Sequence, residues 1–251
     1  KQCIQMTVKF LVPKQGVSRS RPICLRLLGS TCFTLAHSAR LRYTVLMVIA
    51  VIGAGGRSGR VFVDAALHAG HTVRAGVRSG EIVPKHERLT VVRGDATNKK
   101  HIVELLTGAE AVVSLVGHVK NSPSFVQTEI MSLVLSVMHE QGVKRLISLT
   151  GTGVRTQQDS PSLIDRVLNV AIKLIDPERI HDGIAHAAVL RESSTNWTVM
   201  RVLKLGNGPV QTFHLSEGGP AKLLVTRKTV AQAILAELED KAWFRKMPVI
   251  S

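Results

Sequence analysis

Cysteine is missing from most of this sequence. The three cysteines, Cys3, Cys24 and Cys32, all lie within residues 1–46, so residues 47–251 contain neither a disulfide nor a cysteine-ligated metal site. The histidines show no spacing typical of metal ligands, and we therefore predict that the protein binds no metal. A chain whose main part lacks cysteine suits a reducing compartment.

Long apolar runs are also lacking. A transmembrane helix needs about 18 or more consecutive apolar residues, and the longest run here, residues 45–52, ends in glycine well before that length. We therefore expect no transmembrane helix and no membrane partner. With 45% hydrophobic and 20% charged residues, the composition is typical of a folded globular protein, and 251 residues are enough for a sizeable core.

Acidic residues are absent from residues 1–46, which hold eight of the 33 Lys and Arg residues. The other 25 basic residues stand against 18 acidic residues, so residues 47–251 carry +7 of the formal net charge of +15. The cations of this part are scattered, without the interleaved aromatic residues that single-stranded nucleic acid requires. We therefore expect no nucleic-acid partner, whereas a modest positive charge suits a phosphorylated cofactor.

The first 46 residues differ in composition from the rest of the chain. They contain Arg and Ser and are interrupted by Pro13 and Pro22, which is typical either of an organellar transit peptide or of sequence upstream of the domain. We expect residues 1–46 to be an N-terminal extension outside the fold and residues 47–251 to form a single domain. The expected location is the cytoplasm, or an organelle if the extension is a transit peptide.

A glycine-rich turn follows the apolar residues 47–52, which predict a strand buried on both faces. After the turn, apolar residues recur at three- and four-residue spacing, which predicts a helix. The amides and the positive dipole end of such a helix bind a diphosphate, so this context indicates a dinucleotide site. The turn follows a G-x-x-G-x-x-G pattern at Gly53, Gly56 and Gly59, since Ser58 stands where G-x-G-x-x-G requires glycine. A turn that only packs the strand against the helix is the alternative.

The second predicted strand covers residues 72–77, and the residue that follows it indicates which cofactor is bound. An acidic residue there would accept hydrogen bonds from the ribose 2′-hydroxyl of NAD, but the sequence has Arg78. A guanidinium matches a 2′-phosphate in charge and geometry, so we predict NADP (NADPH) as the cofactor. Arg57, within the turn, could reach the same phosphate, and the alternative is that both arginines are solvated loop residues.

Further strands, predicted over residues 89–92, 111–116 and 144–149, alternate with helices, and a long helix is predicted over 125–141. This alternation predicts an α/β fold with a doubly wound parallel sheet, a Rossmann fold that binds ligands at the carboxyl ends of its strands. Asp95 and Gly117 follow two of these strands. Asp95 could instead cap the helix beginning near Lys99, whereas the missing side chain of Gly117 would let a ribose and nicotinamide approach.

The pattern loosens after Ser160. We predict a helix over residues 179–192, a strand over 197–202, a glycine-rich substrate-side loop over 203–219, and a closing helix and strand over 229–239 and 247–250.

These motifs resemble the atypical short-chain dehydrogenase/reductases of the NAD(P)H-binding, NmrA-like group, and within it the biliverdin-IXβ reductase/flavin reductase type. The matching stretches include residues 53–59, 94–95, 115–117, 189–193 and 218–220. In this group the Asp and its neighbour, here Asp95 and Ala96, lie by the adenine, and Val116 falls within a matching stretch. The resemblance implies hydride transfer from NADPH to a planar acceptor such as a flavin, a tetrapyrrole or a quinone-like molecule.

Two departures limit what the resemblance implies about the acceptor. A histidine that this reductase type carries near its substrate is replaced around residues 202–204, and the serine that ends its fifth strand appears as Thr150. Thr150 is our candidate for a catalytic hydroxyl near the nicotinamide, although it could be a turn residue. His181 and His186, on the predicted helix over 179–192, could lie near the acceptor.

The sequence excludes the Tyr-x-x-x-Lys mechanism of the classical short-chain dehydrogenases, because its one tyrosine, Tyr43, precedes the domain. Reduction of a planar acceptor needs no strong positioned acid, since the ring system delocalises charge. The alternative function is an NmrA-like redox sensor that binds NADP(H) and regulates a partner without turnover. We expect a small-molecule partner and a monomer or weak homo-oligomer.

Overall fold

Parallel strands joined by helices dominate the computed structural model, which describes residues 45–79, 85–117 and 122–251. Residues Tyr43–Ser251 form one unit, and nearly all of the predicted extension over 1–46 lies outside the described residues, so the predicted boundary stays a prediction. The strands are β1 (Val48–Ile52), β2 (Thr72–Val77), β3 (Leu89–Arg93), β4 (Ala111–Ser114), β5 (Arg145–Gly151), β6 (Asn196–Val202), β7 (Leu205–Gly206), β8 (Leu215–Ser216), β9 (Val225–Thr226) and β10 (Val249–Ile250). The helices are α1 (Arg57–His68), α2 (Lys99–Leu106), α3 (Val126–Gln141), α4 (Leu163–Ile175), α5 (Pro177–Glu192) and α6 (Arg227–Asp240).

The main sheet has the strand order β3-β2-β1-β4-β5-β6-β10-β8. Strands β1 to β6 pair in parallel, β10 is parallel to β6, and β8 closes the edge antiparallel to β10. The chain order reverses between β1 and β4, and the crevice at such a reversal is where open α/β sheets bind ligands. The predicted doubly wound parallel sheet is therefore confirmed.

Helices cover both faces of the sheet. One core contains apolar residues of α1 and α6, and the other contains those of α2, α3 and α5. Ile49 and Val51 of β1 belong to the first core, whereas Ala50 and Ile52 belong to the second. This two-sided burial explains why the strand is apolar throughout rather than alternating.

The second half of the chain differs most from the sequence-based expectation. Helix α4 was not predicted, although Ser162 caps it by accepting a hydrogen bond from the backbone N–H of Asp165. The segment predicted as a loop over 203–219 includes β7 and β8. The alternative role of Asp95 as a helix cap is wrong, because Asn98 caps α2 by accepting from the N–H of Lys100.

A buried ion pair holds the loop after β5 against the sheet. The guanidinium of Arg201 is fully buried and donates to both carboxylate oxygens of Asp159, at 2.6 and 2.7 Å. It also donates to the carbonyl oxygens of Val154, Glu217 and Met247. Because its donors have partners in three other segments, this one side chain joins β6 to the loop after β5, to the residue after β8 and to the C-terminal segment.

Helix α1 lies very close to the end of β1, and this approach requires glycine. A Cβ atom on Gly59 would overlap the carbonyl oxygen of Gly53 and lie 2.7 Å from the Cα atom of Ala54. Gly53 has φ +76°, a conformation that residues with a Cβ rarely adopt, and a Cβ there would lie 3.1 Å from the backbone of Leu115 and of Val116. The spacing of the glycines thus reflects backbone contact between β1, α1 and the end of β4.

We predict that Gly59→Ala destabilises the protein by about 2 kcal/mol or more, because the added methyl group meets backbone atoms that cannot move independently. Urea denaturation followed by circular dichroism measures the loss. Gly151→Ala is the matched control, since its Cβ would meet its nearest atoms at ordinary contact distances of 3.9 and 4.0 Å. Equal stability of the two variants would contradict the close-approach argument.

Candidate functional site

The N-terminus of α1 is open to an anion. Gly56 is the N-cap, no side chain caps the helix, and its first turn contains no acidic residue. The backbone N–H groups of Arg57, Ser58 and Gly59 have no acceptor within the helix, because these are its first three residues. Gly56 and Arg57 are exposed and Ser58 is partly exposed, so side chains do not fill the turn.

The carboxyl ends of β2 and β3 bring Arg78 and Asp95 together. Thr97 donates to the Asp95 carboxylate from its backbone N–H at 2.9 Å and from its hydroxyl at 2.8 Å. These hydrogen bonds lower the pKa of Asp95, and the positive charge of Arg78 lowers that pKa further. Ala96, directly after Asp95, is partly buried against the second core, and so is Val116, which follows β4 on the other side of β1. Arg78, Asp95 and Ala96, the residues predicted near the adenosine part of the cofactor, therefore lie at the β3 end of the carboxyl edge.

Arg57 faces the other side of the turn. Burial lowers the pKa of Arg227, at the start of α6, and the positive charge of Arg57 lowers it further. Arg227 donates to the side-chain oxygen of Asn207 at 2.7 Å. Arg227 and Asn207 line a small cavity of about 230 Å³, together with Val61, Gly208 and Lys228. Because Val61 lies one turn along α1 from Arg57 and lines this cavity with Arg227, Arg57 lies on the side of the turn that faces α6. Sequence reasoning missed Arg227 and Asn207, although Asn207 lies in the predicted substrate-side loop.

The ends of β4 and β5 are tied together at the predicted nicotinamide position. The side-chain amide of Gln127, on α3, donates to the carbonyl oxygens of Val116 at 3.1 Å and Leu149 at 3.3 Å. Gly117 is exposed, and among the described residues beyond its chain neighbours no atom lies within 4 Å of the position that its Cβ would take. Thr150 is partly buried, and its hydroxyl oxygen would lie 3.1 Å from a Cβ on Gly183 of α5. The described residues therefore leave space beside Gly117, and the glycine at 183 lets α5 pack closely against Val154 and Thr150.

Asp182 has a structural role that the sequence did not reveal. Its buried carboxylate accepts from the N–H groups of Gln127 and Thr128, both at 2.9 Å, and from the Thr128 hydroxyl at 2.7 Å. Helix α3 has no side-chain cap of its own, so Asp182 of α5 caps it from a distant part of the sequence. Because it holds the backbone N–H of Gln127, this carboxylate also positions the side chain whose amide reaches the ends of β4 and β5.

The two histidines of α5 have different environments. His181 is exposed, whereas His186 is fully buried and neither of its ring nitrogens has a hydrogen-bond partner in the described part of the chain. Burial lowers the pKa of His186 to about 4, although the charge of Asp182 opposes the shift. His186 is therefore a neutral core residue at neutral pH rather than an acid beside the acceptor.

A larger cavity, of about 710 Å³, lies elsewhere on the surface. It is bounded by residues 155–158, by Trp197 and by residues 245–247, and none of the predicted site residues lines it. We place the functional site at the carboxyl edge instead, because the open helix N-terminus, Arg78, Asp95 and Gly117 all lie there. Residues 80–84, shortly after Arg78, and residues 118–121, directly after Gly117, lie outside the described residues.

Within 45–79, 85–117 and 122–251, no group of three or more His, Cys, Asp or Glu residues could hold a metal ion. No helix in the same ranges is both long and apolar enough to cross a bilayer.

Comparison with known proteins agrees with this geometry. A family model described as NAD(P)H-binding matches residues 53–241. A short-chain dehydrogenase/reductase (wide type) from Veillonella parvula in complex with NADP superimposes with a TM-score of 0.70 at 20% identity, covering 82% of this chain and 95% of that chain. ChuY, an anaerobillin reductase from Escherichia coli O157:H7, gives a TM-score of 0.66 at 17% identity, with 81% and 96% covered. The oxidoreductase ylbE from Lactococcus lactis gives 0.65 at 18% identity, with 81% and 90% covered.

The burial of His186 predicts a stability that falls in acid. Its pKa of about 4 in the folded protein lies below the ordinary 6.5, so between these values the unfolded chain binds more protons. Stability should therefore decrease as the pH falls from about 6.5 to about 4, with His186 contributing on the order of 3 kcal/mol. The measurement is the free energy of unfolding in urea across this range.

His186→Leu should flatten that pH dependence, because leucine cannot bind a proton and no hydrogen bond of the ring is lost. Burial also lowers the pKa of His71 and of His101, so part of the dependence should remain. His181→Leu, on the exposed side of the same helix, is the control. If His186→Leu kept the slope of the parent protein, the assignment of the acid sensitivity to this ring would be wrong.

Proposed function

Since the chain belongs to the NAD(P)H-binding family whose model matches residues 53–241, we propose that it is an NADPH-dependent reductase of a small planar acceptor, such as a flavin, a tetrapyrrole or a quinone-like molecule. The observation that carries the proposal is the uncapped N-terminus of α1 at Gly56, with exposed Arg78 and no carboxylate directly after β2.

The glycine turn fits a dinucleotide diphosphate. The N–H groups of the first three residues of α1 have no acceptor within the helix, and a Cβ at Gly59 would push α1 away from β1 and so displace those N–H groups. The N–H groups of Arg57, Ser58 and Gly59 would hold the diphosphate, supported by the helix dipole. Asp95 and Ala96 would border the adenine, and Val116 and Gly117 would border the nicotinamide riboside.

Arg78 would select the phosphorylated cofactor. Its charge reaches Asp95, so it lies beside the ribose end of the predicted site. The charge of Arg57 acts on Arg227 at the α6 side of the turn, and we therefore assign Arg57 to the diphosphate rather than to the 2′-phosphate. Two cations that interact in this way favour an anion between them.

The residues near Gly117 support a reaction that needs little acid catalysis. When bound, NADPH supplies the hydride. Gln127 holds the ends of β4 and β5 in place, and Thr150 offers one hydroxyl group beside them. Because the described residues of this edge contain no tyrosine and His186 is buried, an acceptor that delocalises charge and takes its proton from water suits the site best. The reductase activity of ChuY is in line with such an acceptor.

A redox sensor is the alternative function. The same turn and Arg78 would bind NADP(H), and the absence of a tyrosine–lysine pair suits a protein that regulates a partner without turnover. Both functions require the cofactor, and only turnover separates them.

We predict that the protein binds NADPH at least about tenfold more tightly than NADH, because a charge-assisted contact between arginine and phosphate contributes about 1.5–3 kcal/mol. Arg78→Ala should remove most of this preference by weakening NADPH binding while leaving NADH binding nearly unchanged. Isothermal titration with both cofactors measures the effect. Lys144→Ala is the charge-matched control, since Lys144 is exposed and directly precedes β5, at the amino ends of the strands and away from the carboxyl edge.

Equal binding of NADPH and NADH by the parent protein would refute the role of Arg78. Failure to bind either cofactor would refute the proposed function as a whole.

The reductase and the sensor differ in a steady-state assay. We expect NADPH oxidation, followed by absorbance, with at least one member of a panel of FMN, biliverdin and a soluble quinone. Thr150→Val, which keeps the shape of the side chain but removes its hydroxyl group, should lower kcat if that group orients the acceptor, and should leave NADPH affinity unchanged. Tight NADPH binding without oxidation by any acceptor would favour the sensor.

A further inference from the structure

Helix α4 turns its apolar side to the solvent. Six of its aliphatic side chains are between 55% and 83% exposed, whereas Asp165 is buried and Asn169 partly buried. This is the reverse of an ordinary surface helix, which buries its apolar stripe. Exposed aliphatic residues that cluster on one helix mark a surface that contacts another phase or molecule. The six residues, here called the α4 apolar face, are Leu163, Ile164, Val167, Val170, Leu174 and Ile175.

Polar contacts hold α4 in this orientation. The carboxylate of Asp165 accepts from the hydroxyl of Thr152 at 2.7 Å, from the guanidinium of Arg155 at 2.8 Å and from the side-chain amide of Asn169 at 2.6 Å. Asn169 also donates to the Thr152 hydroxyl at 3.1 Å. Rolling the helix to bury its apolar face would break this network and leave Asp165 without partners. The outward apolar face is therefore built into the fold.

The charges on the exposed side of α4 are all positive. Arg166 and Lys173 are exposed and lie seven residues apart, two turns along the same flank of the apolar face. The one carboxylate of the helix, Asp165, is buried against Arg155. At its C-terminal end, Asp176 is paired with Arg179 at 3.2 Å. The face thus combines aliphatic residues with cations, which is the pattern of helices that lie in the interface of an anionic bilayer.

We propose that the α4 apolar face docks the protein on the surface of an anionic lipid bilayer. The aliphatic side chains enter the boundary between headgroups and acyl chains, while Arg166 and Lys173 contact the lipid phosphates. The sequence-based expectation of no membrane partner depended on the absence of a long apolar run, and an interfacial helix needs no such run. The inference does not depend on the proposed reductase function.

A second copy of the chain suits this face less well. Across a two-fold axis, two antiparallel α4 helices would bring the same flanks together, so that Arg166 and Lys173 would face the cations of the other copy. An anionic bilayer instead neutralises them. The oligomeric state is therefore part of the test.

Vesicle sedimentation with the full chain tests the proposal. We expect binding to vesicles of an equal mixture of phosphatidylcholine and phosphatidylglycerol, and much weaker binding to phosphatidylcholine alone. The double variant Val167→Ser/Leu174→Ser should lower the partition coefficient by about tenfold or more, because two aliphatic side chains that would enter the bilayer are lost. Arg166→Gln/Lys173→Gln should lower it by about tenfold on the mixed vesicles and reduce its salt dependence.

Val210→Ser/Leu223→Ser is the matched control, since these aliphatic residues are 52% and 49% exposed and lie outside α4. Its binding should equal that of the parent chain. The basic residues of 1–46 attract anionic vesicles in every variant alike, so the difference between the two serine variants is the measured quantity. Unchanged thermal unfolding of both variants is expected, because the substituted side chains are exposed.

Two results would overturn the proposal. One is equal vesicle binding by the α4 serine variant and its control. The other is a dimer, detected by light scattering, that becomes a monomer in the α4 serine variant while vesicle binding stays the same, which would show that a second copy covers the face.

Discussion

The approach of α1 to the end of β1 is the constraint on which the candidate site depends. Because neither Gly53 nor Gly59 has a side chain, the first turn of the helix contacts the backbone of the strand directly. This contact places the free amides of α1 at the carboxyl edge of the sheet, beside the end of β4. A methyl group in that contact would move the helix and, with it, the only part of the described chain that fits a diphosphate. Packing and binding therefore require the same glycines.

Buried polar side chains position the remaining elements around this edge. Asp182 caps α3 and thereby orients Gln127, whose amide bridges the ends of β4 and β5. Arg201 and Asp159 fasten the loop after β5, from which α4 begins. Each of these groups is ionised or strongly polar and has several partners, so removing one partner would leave an unsatisfied group in the core. Buried hydrogen bonds thus position the elements around the part of the edge that we propose for the acceptor.

Charge is distributed so that the two proposed anion contacts lie at different places. The charge of Arg78 acts on Asp95 at the end of the edge that we propose for the adenosine, and the charge of Arg57 acts on Arg227 at the α6 side of the turn. A third group of cations, Arg166 and Lys173, flanks the α4 apolar face. These three groups of positively charged side chains therefore lie at three different surfaces of the domain.

The sequence by itself determined the parallel sheet, the position of the glycine turn and the presence of a cation after β2, because these depend on residues close together in the chain. A strand buried on both faces must be apolar throughout, and a helix whose first turn approaches a strand backbone as closely as Gly59 approaches Gly53 must have glycine there. Only the tertiary structure decided which side of the turn Arg57 faces, that Asp182 rather than a local residue caps α3, and that His186 is a core residue. It also decided the presence and the outward orientation of α4, a helix that the sequence analysis did not predict and whose apolar side an ordinary surface helix would bury. The physical reason is that Asp165 and Asn169 find their partners on the loop after β5, and a local pattern cannot show which face of a helix has partners in the rest of the fold.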